Sequence, residues 1–249
     1  AEDTRTLRKL MDIHGLALGN RRIVSFHDHN AKSAMPKILD ALNQGKSVVY
    51  ASDAGTPLIS DPGYDLTRAV IEAGLPLVSA PCPTAAIAAL TLSGLPSDAF
   101  FFAGFLPSKT TKRKSALATL RDVPGTLIFY ESPKRVGAML ADAAETLGEG
   151  REAAICREIT KRFEETIRGK LGPLARDLAS REVKGEIVVL VARGDSMSVS
   201  QIDIDRELIS ALEGMSMRDA AEMVAGKFGL RKRDVYQRAL VLDQDREGE

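Results

Sequence analysis

A polar loop rich in glycine and proline, residues 52–63, limits what this 249-residue chain can fold into. An apolar run at 47–51 precedes the loop, and a segment with helical periodicity at 64–73 follows it. Strand, loop and helix in that order are typical of an open α/β sheet, in which ligands bind at the carboxyl ends of the strands. Gly55 and Gly63 let a ligand approach the backbone closely, and the prolines stiffen it. The loop lacks both usual nucleotide-binding fingerprints, so a structural turn and a binding loop both stay open.

The same alternation continues along the chain and predicts an α/β fold. The predicted strands lie at 22–26, 47–51, 75–80, 99–105, 126–130, 152–156, 163–169 and 186–192. The helices predicted between them lie at 4–14, 33–44, 64–73, 85–93 and about 111–121, 134–147 and 172–181. A polar linker is predicted at 196–204, and only helices after it. We therefore predict an N-terminal α/β domain at 1–104, a second α/β domain at 105–195, and a linker with a C-terminal helical module at 196–249.

Composition narrows the class of protein. The 34 basic and 34 acidic side chains balance, so any site for a polyanion must be a local patch. Cys82 and Cys156 form no C-x-x-C pair and indicate a reducing cytoplasm. No apolar run approaches the roughly 20 residues of a membrane span, and no signal peptide is visible. The chain opens at Ala1 without an initiator Met, and we expect further residues upstream.

Charged residues at the predicted strand ends are the candidates for chemistry. After the strand at 126–130, Ser132 is explained as a helix cap and Pro133 as a first helical residue, whereas Glu131 and Arg135 are not. A carboxylate beside cations there is suited to positioning a hydroxyl group. The charge-rich segment 157–165 is either a solvated turn or part of the same site. His27 and His29 have no third ligand nearby, so no metal is expected.

Two basic segments are candidates for binding phosphates. Lys109, Lys112, Arg113 and Lys114 precede a predicted helix, where they could contact a phosphate backbone or only face solvent. In the tail, a capping box at 216–219 opens one helix, Gly229 makes a turn, and a second helix begins with three cations at 231–233. Two short helices about a glycine turn are typical of a helix-turn-helix-like module, which binds nucleic acid or only mediates packing.

These segments together resemble the tetrapyrrole-methylase superfamily, and within it the bacterial 16S ribosomal RNA (cytidine-2′-O)-methyltransferases. The motifs that carry the resemblance follow one another along nearly the whole chain. They are Glu2-Asp3-Thr4-Arg5, His27-x-His29-Asn30, Asp53-Ala54-Gly55-Thr56-Pro57-x-Ile59-Ser60-Asp61-Pro62-Gly63, Pro81-x-Pro83-Thr84-Ala85, Gly104-Phe105-Leu106-Pro107-x-Lys109, Phe129-Tyr130-Glu131-Ser132-Pro133-x-Arg135, Arg157-Glu158-Ile159-Thr160-Lys161 and Lys184-Gly185-Glu186.

The resemblance implies two α/β domains with S-adenosylmethionine in the cleft between them, a homodimer, and a C-terminal helical module suited to RNA. The reaction it implies is methylation of a cytidine ribose 2′-hydroxyl in small-subunit ribosomal RNA near the decoding centre. The implied donor-binding residues are Ser52, Asp53, Ala54, Gly55, Thr56, Pro57, Pro81, Thr84, Ala85 and Tyr130. The residues predicted to hold RNA phosphates are Arg5, Lys109, Arg135, Arg157, Lys161, Arg231, Lys232 and Arg233. Glu131 or Asp3 is predicted to accept the hydroxyl proton.

Two departures from the family pattern and three alternatives accompany this prediction. The first strand and Pro-Gly-rich loop of the family do not precede Glu2 here, and Cys82 replaces a glycine whose backbone conformation a side chain could disturb. The same scaffold also methylates tetrapyrrole precursors or a residue of a translation factor. A catalytically inactive RNA- or ribosome-binding protein is the alternative from another class.

Overall fold

The computed structural model describes residues 1–179, 181–194 and 201–247, without the side chains of 201–203 and 244–247. Ala1–Ala192 and Arg193–Glu249 form two compact units. The helices of the first unit are α1 (Thr4–Ile13), α2 (Ala31–Asn43), α3 (Tyr64–Glu72), α4 (Ala85–Ser93), α5 (Thr110–Leu120), α6 (Val136–Leu147) and α7 (Leu171–Ala179). Its strands are β1 (Phe100–Phe105), β2 (Thr126–Glu131), β3 (Glu152–Arg157), β4 (Glu165–Lys170) and β5 (Ile187–Val191).

The five strands form one mixed sheet in the order β1-β2-β5-β3-β4. β1 and β2 are parallel, and the other neighbours are antiparallel. β2, β3 and β5 are almost continuously apolar and buried because helices cover both sides of them. The mixed α/β fold expected from the sequence is confirmed.

The two faces of this sheet separate two parts of the core. Since successive side chains of a strand point to opposite faces, Leu127 and Phe129 pack with α5, α6 and α7. Ile128, one position along, packs with Ala89 and Leu90 of α4 on the other face. The face on which a β2 side chain lies therefore decides whether it meets α4 or α6.

The predicted strands at 22–26, 47–51 and 75–80 are wrong in this structure. Across residues 1–99, all of which it describes, no segment belongs to a β-ladder. A strand needs a neighbour of similar length to pair its backbone groups. Here the backbone of Ala1 and Glu2 bridges the first two extended segments, through bonds from Phe26 N to Ala1 O (2.7 Å) and from Glu2 N to Ala51 O (3.1 Å). Val49 accordingly remains 88% exposed.

The second unit consists of α8 (Gln201–Leu212), α9 (Met217–Phe228) and α10 (Lys232–Glu247) around a small core. Ser216 caps α9 by accepting a hydrogen bond from Asp219 N, and Gly229 ends it with a left-handed backbone. The predicted helix-turn-helix-like arrangement is confirmed. The predicted linker at 196–204 is too long, because α8 already begins at Gln201; residues 196–200 lie outside the described residues.

Candidate active site

The loop at 52–63 has a backbone that few sequences could adopt. Gly55 and Gly63 have φ of +70° and +124°, and the non-glycine residues Leu58 and Ser60 also have positive φ, at 72° and 60°. Residues held in such conformations cost about 1–3 kcal/mol each and concentrate at functional sites. The loop is anchored at its end, where Tyr50 Oη donates a hydrogen bond to Pro62 O at 3.0 Å. Burial, followed by the charges of Glu2 and Asp61, raises the pKa of Tyr50 to about 12.

The loop at 81–85 lies directly against this first loop. Thr56 Oγ1 donates to the carbonyl oxygens of Cys82 and Pro83, at 3.1 and 3.2 Å. A Cβ atom added to Gly55 would lie 4.0 Å from Pro83 O, so the two backbones pass close to each other. Cys82 stands where the family usually has a glycine, but its φ is not positive, so the backbone there accepts a side chain. Its thiol contacts Ala80 O.

Tyr130 joins the second loop to the sheet. Its hydroxyl accepts a hydrogen bond from Ala86 N at 3.2 Å and shares another with Thr84 Oγ1 at 3.1 Å. Its ring packs edge-on against Phe102 and Phe105, with centroid distances of 4.9 and 5.7 Å. The structure thus brings together the three regions predicted to bind the methyl donor: the loop at 52–57, the loop at 81–85 and Tyr130.

Carboxylates gather on one side of the first loop. Asp53 Oδ1 accepts a bond from Asp3 N and Asp53 N donates to Glu2 Oε2, both at 3.2 Å. Burial and then the charge of Glu2 raise the pKa of Asp61. This side of the loop is therefore suited to a cationic ligand.

Asp3, one of the two predicted proton acceptors, is the N-cap of α1. Its carboxylate accepts bonds from Arg5 N and from the Arg5 guanidinium, with an ion-pair distance of 2.6 Å. The side-chain hydrogen bond from Arg5 is the main cause that lowers the pKa of Asp3 to about 2. A carboxylate with that pKa is a weak base at neutral pH.

Glu131, the other predicted acceptor, lies one position after Tyr130 and therefore points to the opposite face of the sheet. Its side chain has no exposed surface and ion-pairs with Arg135 Nη2 at 3.2 Å. Oε1 accepts a hydrogen bond from Ser132 N at 2.8 Å, and Arg135 also donates to Leu106 O at 2.5 Å. As placed, Glu131 orients Arg135 and the turn after β2; it does not face the two loops.

The segment at 157–165 is tied together by its own charges. Glu158 Oε1 accepts from Glu186 N at 2.9 Å and from Lys161 at 3.1 Å, and these bonds lower the pKa of Glu158. Arg157 pairs with Glu165 at 3.1 Å. Arg157 and Lys161, both predicted to bind RNA phosphates, thus already have carboxylate partners.

The other basic residues divide into exposed and sequestered ones. Lys109 precedes α5 and is exposed, whereas Arg113 is buried with Asp142 at 2.6 Å, so the predicted cluster at 109–114 is smaller than expected. In the second unit, Arg231 pairs with Asp234 at 2.8 Å, Lys232 pairs with Glu222, and Arg233 is exposed.

The described part of the chain contains neither a grouped set of metal ligands nor a helix suited to span a membrane. Within the described residues, no three or more His, Cys, Asp or Glu side chains are grouped as a metal site requires. None of the described helices is both long and apolar enough to cross a membrane.

Comparison with known proteins identifies the family. The tetrapyrrole (corrin/porphyrin) methylase family matches residues 3–175, and the RsmI C-terminal HTH domain matches residues 198–243. The chain belongs to the tetrapyrrole methylase family. The expectation of a methyltransferase that uses S-adenosylmethionine is thereby confirmed.

Two curated relatives are each named ribosomal RNA small subunit methyltransferase I. The protein from Mesorhizobium japonicum is 48% identical over 100% of this chain and 83% of its own length. The protein from Mycobacterium bovis is 43% identical over 96% of this chain and 84% of its own length. Among solved structures, a diphthine synthase superposes with a TM-score of 0.55 at 13% identity, over 74% of this chain and 73% of its own. That likeness shows the fold alone.

The candidate site of this tetrapyrrole methylase fits S-adenosylmethionine in charge. The sulfonium of the donor is a cation, and Glu2, Asp53 and Asp61 give one side of the loop at 52–63 a negative charge. Gly55 has no side chain where the first loop passes Pro83 O of the second, so the backbone there stays open to a ligand. The residues that would hold the donor are therefore those of the two loops.

Arg168 of this methylase is a residue that the sequence pattern did not single out. Arg168 lies in β4 and donates to the last carbonyl groups of α4, at Leu92 and Ser93. Nothing in the strand pattern distinguishes it from a solvent-facing strand cation. Only the packing of α4 across the sheet reveals the contact.

Proposed function

We propose that this chain methylates small-subunit ribosomal RNA and that its target is the ribose 2′-hydroxyl of a cytidine near the decoding centre. The supporting observation is the order of domains, a methylase domain at 3–175 followed by an RsmI-type helix-turn-helix domain at 198–243. Relatives at 48% and 43% identity carry the name of a ribosomal RNA methyltransferase. A small organic substrate would not require a helix-turn-helix module.

The main task of the protein in this reaction is alignment. S-adenosylmethionine, when bound, supplies a methyl carbon that its sulfonium already activates. Orientation of two reactants can contribute about 7–11 kcal/mol to lowering the barrier. Thr56 and Tyr130 are suited to this task, because their hydrogen bonds fix the two loops to each other and to the sheet.

The acceptor of the hydroxyl proton is proposed to be Asp3 or Glu131. Asp3 is partly exposed at the N-cap of α1 but has a pKa of about 2, far from the neutral value at which a general base works best. Glu131 is buried and ion-paired with Arg135, so as acceptor it would receive the proton through water rather than directly. The variants Asp3→Asn and Glu131→Gln separate the two.

A general base contributes about 10²–10⁴-fold. Loss of kcat by that factor in one variant, with donor and RNA affinity retained, identifies the acceptor. Full activity in both variants removes both residues from the role.

RNA is proposed to contact Lys109, Arg231, Lys232 and Arg233, together with Arg5, Arg135, Arg157 and Lys161. The last four, like Arg231 and Lys232, are paired with carboxylates in the free protein. Binding a phosphate there exchanges one anionic partner for another, so these contacts add less affinity than those of Lys109 and Arg233. A homodimer and a cytoplasmic location belong to the same proposal.

The test is methyl transfer from labelled S-adenosylmethionine to small ribosomal subunits that lack native methylation. The full chain is used, and the label is mapped to a nucleotide and an atom. We expect incorporation at a cytidine 2′-oxygen near the decoding centre, and none with a Gly55→Val control whose side chain fills the gap between the loops. Donor binding without incorporation would point to tetrapyrrole precursors or a translation factor. No donor binding would favour an inactive RNA-binding protein.

A further inference from the structure

Helix α4 is held to the sheet at its N-terminal end by a side chain from another element. The first turn of any helix leaves backbone N–H groups without intrahelical partners. Thr84, the N-cap of α4, makes no side-chain cap bond of its own. The hydroxyl of Tyr130 accepts the Ala86 N–H instead, at 3.2 Å, and so caps the helix from β2.

A second side chain from the sheet binds the other end of α4. Arg168 Nε in β4 lies 3.2 Å from both Leu92 O and Ser93 O, and Arg168 Nη2 also donates to Leu92 O. A cation at a helix C-terminus is favoured by the helix dipole as well as by these bonds. Gly94 leaves the helix with a left-handed backbone beside the same guanidinium, which would lie 3.9 Å from an added Cβ.

Between these two contacts, α4 is a helix of small and apolar residues pressed onto the sheet. Ala86, Ala89 and Leu90 are buried against Ile128, Ala154 and other residues of the same face. Small side chains give little shape-specific interlocking, so the two polar contacts fix where the helix lies along the sheet.

We infer that Tyr130 and Arg168 are positioning residues that clamp the two ends of α4 and thereby set the position of the loop at 81–85 for the methyl donor. The inference depends on the proposed donor site at the two loops. The loop at 81–85 runs directly into α4. The hydrogen bonds of Thr56 fix the loop at 52–57 to the loop at 81–85, so the position of one loop determines that of the other. Displacement of the helix would move Thr84 and Ala85, and with them the loop at 81–85, relative to the loop at 52–57.

Arg168 makes the inference testable because it lies at the far end of the helix. The nine residues of α4 span about 13 Å at 1.5 Å per residue. The contacts of Arg168 with Leu92 O and Ser93 O therefore lie at the end of α4 opposite to residues 81–85. An effect of Arg168 on donor affinity has to pass through the helix.

The experiment compares Tyr130→Phe, Arg168→Met and Arg168→Lys in the full chain, with Arg176→Met as a matched control. Arg176 also carries a guanidinium, but it pairs with Glu149 on the surface. Hydrogen–deuterium exchange of residues 85–93 is measured without donor, and the Kd of S-adenosylmethionine is measured by calorimetry. Urea unfolding of each variant shows that it is folded.

Since each lost hydrogen bond contributes about 0.5–1.5 kcal/mol net, we expect the donor Kd to rise about tenfold in Tyr130→Phe and Arg168→Met. Amide exchange in 85–93 should accelerate by a similar factor in both. Arg168→Lys, which keeps a cation at the helix end, should recover part of both effects, and Arg176→Met should change neither. For Arg168→Met the loss should fall on the KM for the donor rather than on kcat.

Two results would overturn the inference. If Arg168→Met kept the donor affinity and the amide exchange of the wild-type protein, the contact at the C-terminal end of α4 would not position the loop at 81–85. A higher donor Kd in Tyr130→Phe, with unchanged amide exchange in residues 85–93, would show that Tyr130 contacts the donor directly. Neither readout depends on RNA methylation, so failure of the proposed substrate would leave a positive result intact.

Discussion

Replacing Gly63 by alanine should disrupt the loop at 52–63 more than any ordinary glycine substitution. Gly63 has φ +124° and ψ −11°, a conformation that costs a residue with a side chain about 1–3 kcal/mol. The added Cβ would also lie 2.8 Å from Tyr50 Cε1 and 3.1 Å from Leu58 Cδ1. Relieving that overlap costs about 1–3 kcal/mol more. The smaller entropy of the unfolded alanine variant offsets about 0.4–1 kcal/mol. The expected net loss is about 2–5 kcal/mol.

The control is Gly45→Ala, at φ +78° with no atom within 4 Å of the added Cβ. It carries the left-handed penalty of about 1–2 kcal/mol without the overlap. Urea unfolding followed by circular dichroism gives the free energy of unfolding for both variants, and calorimetry gives the donor Kd. The difference between the variants measures the overlap with Tyr50 and Leu58. Equal losses in the two variants would refute the claim that Tyr50 shapes the loop, as would failure of Tyr50→Leu to restore part of the loss in Gly63→Ala.

Three further predictions use other parts of the structure. Asp142→Asn should lower the free energy of unfolding by about 3–5 kcal/mol, because it leaves a buried guanidinium without its carboxylate partner. Glu149→Gln, in an exposed ion pair, should cost under about 1 kcal/mol. Similar losses for the two variants in urea unfolding would contradict the difference in burial. Because the pKa of Tyr50 is raised to about 12, its contribution to stability is present below pH 10 and lost as the pH rises through about 12. Ultraviolet titration should therefore show a tyrosine ionisation near pH 12 that disappears in Tyr50→Phe, and a titration curve unchanged by that substitution would disprove the prediction. Finally, Arg233→Ala should reduce the slope of log K for RNA binding against log salt concentration by about 1. Arg176→Ala should leave this slope unchanged. Equal slopes for the two variants would show that Arg233 does not contact RNA.

The sheet of the first unit was predictable because each central strand is buried on both faces. β2, β3 and β5 present unbroken apolar runs bounded by turn residues, and such runs admit few alternatives once helical segments lie between them. The strands at 47–51 and 75–80 have equally apolar sequences. They do not form in this structure because a strand depends on a neighbour, and the local pattern carries no information about whether that neighbour is present.

Charged residues show where prediction from the pattern reaches its limit. The sequence pattern does not distinguish Lys109 from Arg113. Lys109 is exposed, whereas Arg113 of α5 is buried against Asp142 of α6. Tyr130 and Glu131 are adjacent, yet the alternation of β2 sends one toward the loops and the other away from them.

The same parity argument explains why Arg168 and Tyr130 act on one helix although 38 positions separate them along the chain. In the ladder, β4 pairs with β3, β3 with β5 and β5 with β2, with Arg168 opposite Ala154, Ala154 opposite Leu190 and Leu190 opposite Ile128. Residues directly opposite in such pairs share a face, so Arg168 lies on the face of Ile128. Tyr130, two positions beyond Ile128, is on that face as well. Helix α4, which packs on this face, then meets both side chains at its ends. The clamp on α4 is therefore a consequence of strand register, and a one-residue slip of β4 would turn Arg168 to the opposite face and remove it.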